Sequence, residues 1–166
     1  MASADRDDEV DLLIDAWSRR LPDVDLTPLD VMSRLRRVAH RLTRLRAAAF
    51  TGAGLASWEF DVLAALRRTE PPHELSPAQL IETTMIGSAA MSNRLDKLSS
   101  RGLIDRRPND LDRRSIIVRL TDDGAGRVDA AMTELVRREA FELRDVSPAD
   151  QAALARILRR MLEPRA

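Results

Sequence analysis

"SAAMSNRLDKLSSRGLIDRRPNDLDRRSIIVRLT", residues 88–121, is the stretch on which the fold turns. Residues 88–100 place Ala89, Met91, Leu95 and Leu98 at helical intervals, and Arg101-Gly102-Leu103 stops the run. Beyond it the chain alternates in the strand manner, "LIDRR" at 103–107 and "SIIVRLT" at 115–121, with a charged tip between. A hairpin therefore follows the helix directly. From Arg107 to Gly124 the chain holds four arginines and four aspartates around an apolar run too brief for a buried helix. Such a tip is expected to meet something charged.

Outward from this block, helix starts are legible. "TPLD" at Thr27, "SPAQ" at Ser76 and "SPAD" at Ser147 each pair a capping hydroxyl with proline at the first helical position. Asp30, Gln79 or Asp150 then stands where a capping-box partner belongs. A helix from Pro28 to about Phe50 carries Val31, Leu35, Val38, Leu42, Leu45 and Ala49 on one stripe and ends at "TGAG". Ser57 to Arg68 gives another, with Trp58, Val62, Ala65 and Leu66 on one side, until "EPPHE" breaks it. A short helix runs from Pro77 to about Thr84, and "MIG" makes the tight turn into the helix at Ser88. After the hairpin, Thr121 caps a long helix to about Leu143, and Pro148 opens a last one bearing Leu154, Ile157, Leu158, Met161 and Leu162.

Helix, turn, helix and then a two-stranded hairpin is the order of a winged helix-turn-helix. A helix about 10 Å across enters a major groove about 12 Å wide, while the hairpin beside it reaches the backbone or minor groove. The expected fold is mainly α with a small β-hairpin wing, a winged helix-turn-helix flanked by long N- and C-terminal helices. Its parts are an extra N-terminal acidic helix at 1–26, a long helix and linker at 27–56, the winged helix-turn-helix DNA-binding region at 57–120 and C-terminal helices at 121–166. Ser88, Ser92, Asn93 and Lys97 supply donors suited to phosphates and base edges, a solvated polar face being the alternative. On the wing, Asp112 is placed to orient one guanidinium while Arg113 or Arg114 meets DNA.

Composition narrows the rest. The 166 residues are 44% hydrophobic and 33% charged, with 27 basic and 27 acidic side chains, as suits one mainly helical globule. The zero net charge hides an asymmetry: residues 1–30 hold nine acids against three arginines, and residues 31–50 hold six arginines and no acid. These neighbours are expected to neutralise each other. Residues 87–114 carry seven basic side chains against four acidic ones, a modest positive patch. No cysteine is present, and His40 and His73 do not stand at metal-ligand spacing, so no metal and no cofactor is expected. No apolar window approaches about 18 residues, and the acidic start "MASADRDDEV" is unlike a secretory leader, so the cytoplasm is the expected location and no membrane the expected partner. The basic stripe "SRLRRVAHRLTRLR" reads better as a partner of the acidic helix than as a lipid-surface helix.

The residues of "FDVLAALRR", of the block from Ala90 to Gly124 and of the two flanking long helices resemble the MarR (multiple antibiotic resistance) family over residues 28–164. The most specific piece is the wing signature at Asp112 to Arg114. The resemblance implies a homodimeric regulator, held together by an N-terminal dimerisation helix at 27–56 and C-terminal dimerisation helices at 121–166, that binds inverted repeats in double-stranded DNA and releases them when a small ligand binds. The additional acidic helix "DEVDLLIDAWSRRLPDVDL" looks like that of the urate-responsive, PecS-like branch. By that resemblance Trp17, Asp61, Arg94 and Arg106 fall at ligand-associated places, for urate or another small anionic or aromatic effector.

Read from the residues alone, Asp61 follows Trp58 by three positions, so it is expected on the buried face, paired with a cation such as Arg94. A purely structural ion pair and a ligand pocket both satisfy that expectation. Trp17 is equally open as an anchor for the extra helix. An enzyme is not expected: "GAGLAS" at Gly52 lacks the third glycine of a dinucleotide loop and follows a basic helix, and neither a nucleophile elbow nor a zinc-binding H-E-x-x-H pair occurs. The competing class is a winged-helix dimeric adaptor that acts through protein contacts, which salt-dependent DNA binding would separate from a regulator.

Overall fold

A computed structural model describes residues 8–109 and 115–164. Seven helices and three short strands are seen among them. The chain forms two compact units, residues 1–45 and 46–166. Asp112, Arg113 and Arg114 lie outside the described residues.

In the first unit, α1 (Glu9–Ser18) is capped by Asp8, whose carboxylate accepts from the Val10 and Asp11 amides while Asp11 reaches back to the Asp8 amide. The second helix, α2 (Thr27–Gly52), begins in this unit. Its guanidinium Arg34 bridges Asp8 at 2.9 Å and Asp11 at 2.8 Å and also meets Asp30, and Arg37 meets Glu9. The acidic segment and the basic helix neutralise each other, as their charges predict. The start of α2 differs from expectation. Thr27 does not act as a box: its hydroxyl and amide both donate to Asp25, and Asp30 turns to Arg34 instead. Asp25 competes successfully because a carboxylate accepts both donors at once.

The second unit holds α3 (Ser57–Arg67), α4 (Pro77–Thr84) and α5 (Ser88–Ser100), then the hairpin β2 (Ile104–Pro108) and β3 (Ile116–Leu120). A strand not foreseen, β1 (Glu74–Leu75), pairs with β3 on its other side, so the sheet order is β1-β3-β2, all antiparallel. Two residues carry no periodicity, and the neighbouring prolines read only as a break. Long helix α6 (Asp122–Glu142) and α7 (Pro148–Leu162) complete the unit. Ser76, Thr121 and Ser147 cap α4, α6 and α7, accepting from Gln79, Gly124 and Asp150 amides.

Burial explains the arrangement. Leu63 and Leu66 of α3, Leu80 of α4, Met91, Leu95 and Leu98 of α5, Val118 of β3 and Val128 of α6 are all fully or almost fully removed from solvent. Phe50 and Phe60 stack with centroids 3.9 Å apart. This core holds α5 by one stripe only and leaves its opposite face outward. At its C-terminus Gly102 takes φ +68, and Leu103 N–H returns to the Leu98 carbonyl at 3.0 Å. That left-handed closure turns the chain sharply into the wing.

Candidate functional site

The outward face of α5 carries Ser88, Ser92, Asn93 and Lys97, all exposed, with no described hydrogen bond to their side-chain polar atoms. They are free donors on a helix fixed at both ends of its buried stripe. The far end is fastened by Arg101, which bonds Glu59 and donates to the Gly54 carbonyl at 2.8 Å. Glu59 is the one buried charged side chain among the described residues, 4% exposed, and it also accepts the Ala56 amide at 2.9 Å. The wing is fastened too. Arg106 of β2 reaches Asp96 of α5 at 2.9 Å, and Arg107 reaches Glu74 of β1 at 3.0 Å. At the base of the tip Asn109 donates from its amide to the Ser115 carbonyl and from its side chain to the Ser115 hydroxyl, both at 3.0 Å.

The expected burial of Asp61 is not observed. Asp61 is exposed, and Glu59 is the buried acid. Trp58 is only half-buried, at the edge of the packed face, so counting three residues from it places the helical phase wrongly. Nor does Arg94 pair with Asp61: its guanidinium lies 5.5 Å from the Trp58 ring centroid, a cation–π contact. Trp17 is half exposed on α1 in the other unit. Arg106 keeps buried Nε and Nη2 groups without a hydrogen-bond partner, an arrangement that is costly unless an acceptor arrives.

Asp61 does line a cavity of about 540 Å³ between α3, α4 and α6. Arg46, Arg67 and Arg68 share that wall with Asp129, above an apolar floor of Phe60, Ala64, Val128 and Met132. Arg67 grips Asp129 through Nε and Nη2, both at 2.9 Å, and this hydrogen bonding holds the Asp129 carboxyl below the usual range. Its remaining nitrogen lies 2.7 Å from His73 Nε2, while His73 Nδ1 donates to the Thr69 carbonyl at 2.7 Å. His73 in turn accepts the Leu120 amide with its own carbonyl, which ties the cavity wall to the wing sheet. Thr83 and Thr84, the last residues of α4, also face the cavity. None of Arg46, Arg67, Asp129 or His73 was marked from the sequence as a ligand residue; they converge only once the helices are packed.

An exposed polar helix, anchored by its apolar stripe and flanked by a fastened hairpin, defines a winged-helix DNA-binding regulator of transcription. Comparison with known proteins gives its kinship. The MarR family model matches residues 53–115. The regulator PecS of Dickeya dadantii is 33% identical over 153 residues, 92% of each chain. Among solved structures, Bordetella bronchiseptica BpsR, described with regulation of its DNA binding by 6-hydroxynicotinic acid, is 25% identical at a TM-score of 0.66, covering 81% of this chain and 94% of that one. A mutant MarR of E. coli complexed with operator DNA, 23% identical, shares the fold at a TM-score of 0.64 over 84% of this chain and 99% of that one. This chain belongs to the MarR family.

Proposed function

We propose that the protein works in the cytoplasm as a ligand-responsive repressor: a homodimer holds an inverted-repeat operator, and a small planar anion, urate or a ring carboxylate, weakens that hold. Ser88, Ser92, Asn93 and Lys97 meet the major groove, and Arg113 and Arg114 meet the backbone or minor groove. The observation that carries the effector half is the cavity in which Asp61 stands with Arg46, Arg67 and Arg68 over an apolar floor. Its volume lies in the range of small-molecule sites, and forked donors above an apolar surface suit a flat anion. Arg94, stacked over Trp58, and Arg106, whose Nε and Nη2 have no hydrogen-bond partner, are further candidate donors outside that lining. The last turn of α4 lines the cavity and leads through three residues into α5, so a ligand that shifts Thr83 and Thr84 shifts the reading helix. The 6-hydroxynicotinic acid of BpsR, an aromatic carboxylate, is of the chemistry proposed.

The test is a footprint on DNA upstream of the protein's own gene, repeated with urate and with 6-hydroxynicotinate. Protection of two half-sites that fades with one of these anions is the expected result, and it should weaken steeply with salt. Arg68→Ala removes one of the donors to the anion, so it should leave protection intact and raise the concentration needed for release about tenfold, the loss of one good polar contact. Release of this variant at the parental concentration overturns the cavity assignment. No protection at any salt concentration favours the adaptor reading.

A further inference from the structure

Met85 stands between the last residue of α4 and the start of α5, and it is 92% exposed, the highest value among the large apolar side chains described. It also holds the left-handed conformation, φ 54 and ψ 30, where glycine or asparagine is the ordinary occupant. Both features work against folding: the side chain buries nothing, and the backbone is strained by having a side chain at all. Two residues on, Gly87 has an ordinary φ of −62, and a Cβ built there meets no atom within 4 Å. Neither backbone geometry nor packing calls for glycine at that position. An apolar probe and a bare approach thus sit side by side at the end of α5 that enters the groove first, beside Ser88, Ser92 and Asn93.

We infer that Met85 is a specificity-determining contact, its thioether resting on the C5-methyl group of a thymine in the major groove of each half-site. Strained residues that their own fold does not require are found where function uses them. A thymine methyl is the one apolar group that base edges present in that groove, and methionine is flexible and polarisable enough to follow it. Residues 87–114 are net positive, which suits duplex DNA better than an apolar protein partner. This inference rests on α5 being the element that reads DNA.

The experiment replaces each thymine of the operator, one at a time, by uracil, which removes only the methyl group. The parent protein should lose about fourfold in affinity at one position per half-site, the effect of one buried methyl-sized group. Met85→Gly fits the backbone, so it should melt at or above the parental temperature, bind the thymine operator about fourfold more weakly and be indifferent to that uracil. Parental affinity in Met85→Gly, or a variant still sensitive to the same uracil, overturns the inference, including the case in which Met85 serves a protein partner. Asn93→Ala separates the two readings. If it weakens binding while Met85→Gly does not, α5 reads DNA without Met85; if neither matters, or the parent binds no duplex, both fall.

Discussion

A methyl group on Gly124 has no room: an ideal Cβ would lie 2.2 Å from the Leu103 carbonyl oxygen and 2.9 Å from Leu120 Cδ1. Leu103 begins the wing and Gly124 lies in the first turn of α6, where its amide is bonded by the Thr121 hydroxyl at 3.1 Å. The contact is with backbone, which cannot rotate away, so Gly124→Ala must push α6 off the wing base. Overpacking of this kind costs about 1–3 kcal/mol. A thermal melt should register the loss, together with weaker operator binding; an unchanged melting temperature would show that the helix start yields freely. No sequence pattern announces this approach, since "TDDG" reads equally well as an ordinary cap. The same holds for charge. A phase count from Trp58 selects Asp61 as the buried acid, whereas Glu59 occupies that place because Trp58 sits at the rim of the helix face rather than its centre.

At the scale of elements, the signals that were legible are those written within one turn of chain. Ser76 and Gln79 form the box their spacing predicts, and residues 88–100 form the helix their apolar stripe predicts. The start of α2 and the strand β1 were not legible, because Asp25 outcompetes an expected local cap and β1 exists only through pairing with β3. Attachment of α1 to α2 was legible as charge alone, and it is charge that makes it testable. Hydrogen bonding from Arg34 lowers the Asp11 carboxyl below its ordinary 3.8, and Asp8 is lowered as well, burial opposing but the Val10 amide and Arg34 prevailing. A depressed carboxylate stabilises fully above its ordinary value and loses that contribution as pH falls through the folded one. The attachment should therefore be constant near neutrality and release below pH 3.8. Fluorescence of Trp17 in a Trp58→Phe background should shift on acidification, and Arg34→Ala should show the released signal at neutral pH. A variant indistinguishable from the parent at both pH values would mean that apolar packing, not the Arg34 bridge, secures α1.

For the whole molecule, the largest fact is what the chain leaves uncovered. No residue of α7 is buried, and its Leu154, Ile157, Met161 and Leu162 are exposed. On α6, Met132, Val136 and Phe141 are exposed as well, Val136 at 57%. A 15-residue helix without tertiary cover is marginal in water, and apolar residues repeating along one face want a partner face. In the homodimer proposed above, a second copy of the same chain would supply one by symmetry, since an isologous seam presents the same stripe from both sides. Two copies would also carry two of the proposed reading helices, expected about 10 bp apart or at a multiple of that spacing. Ile157→Glu places a charge in that seam while removing nothing from the core, so the monomer should stay folded. Sedimentation should then report monomers, and operator affinity should fall about a hundredfold or more, because the second half-site contact ceases to be intramolecular. The parent should melt at a temperature that rises with protein concentration, whereas the variant should not. A dimeric Ile157→Glu protein with parental operator affinity would place the seam elsewhere and leave the apolar face of α7 to a different partner.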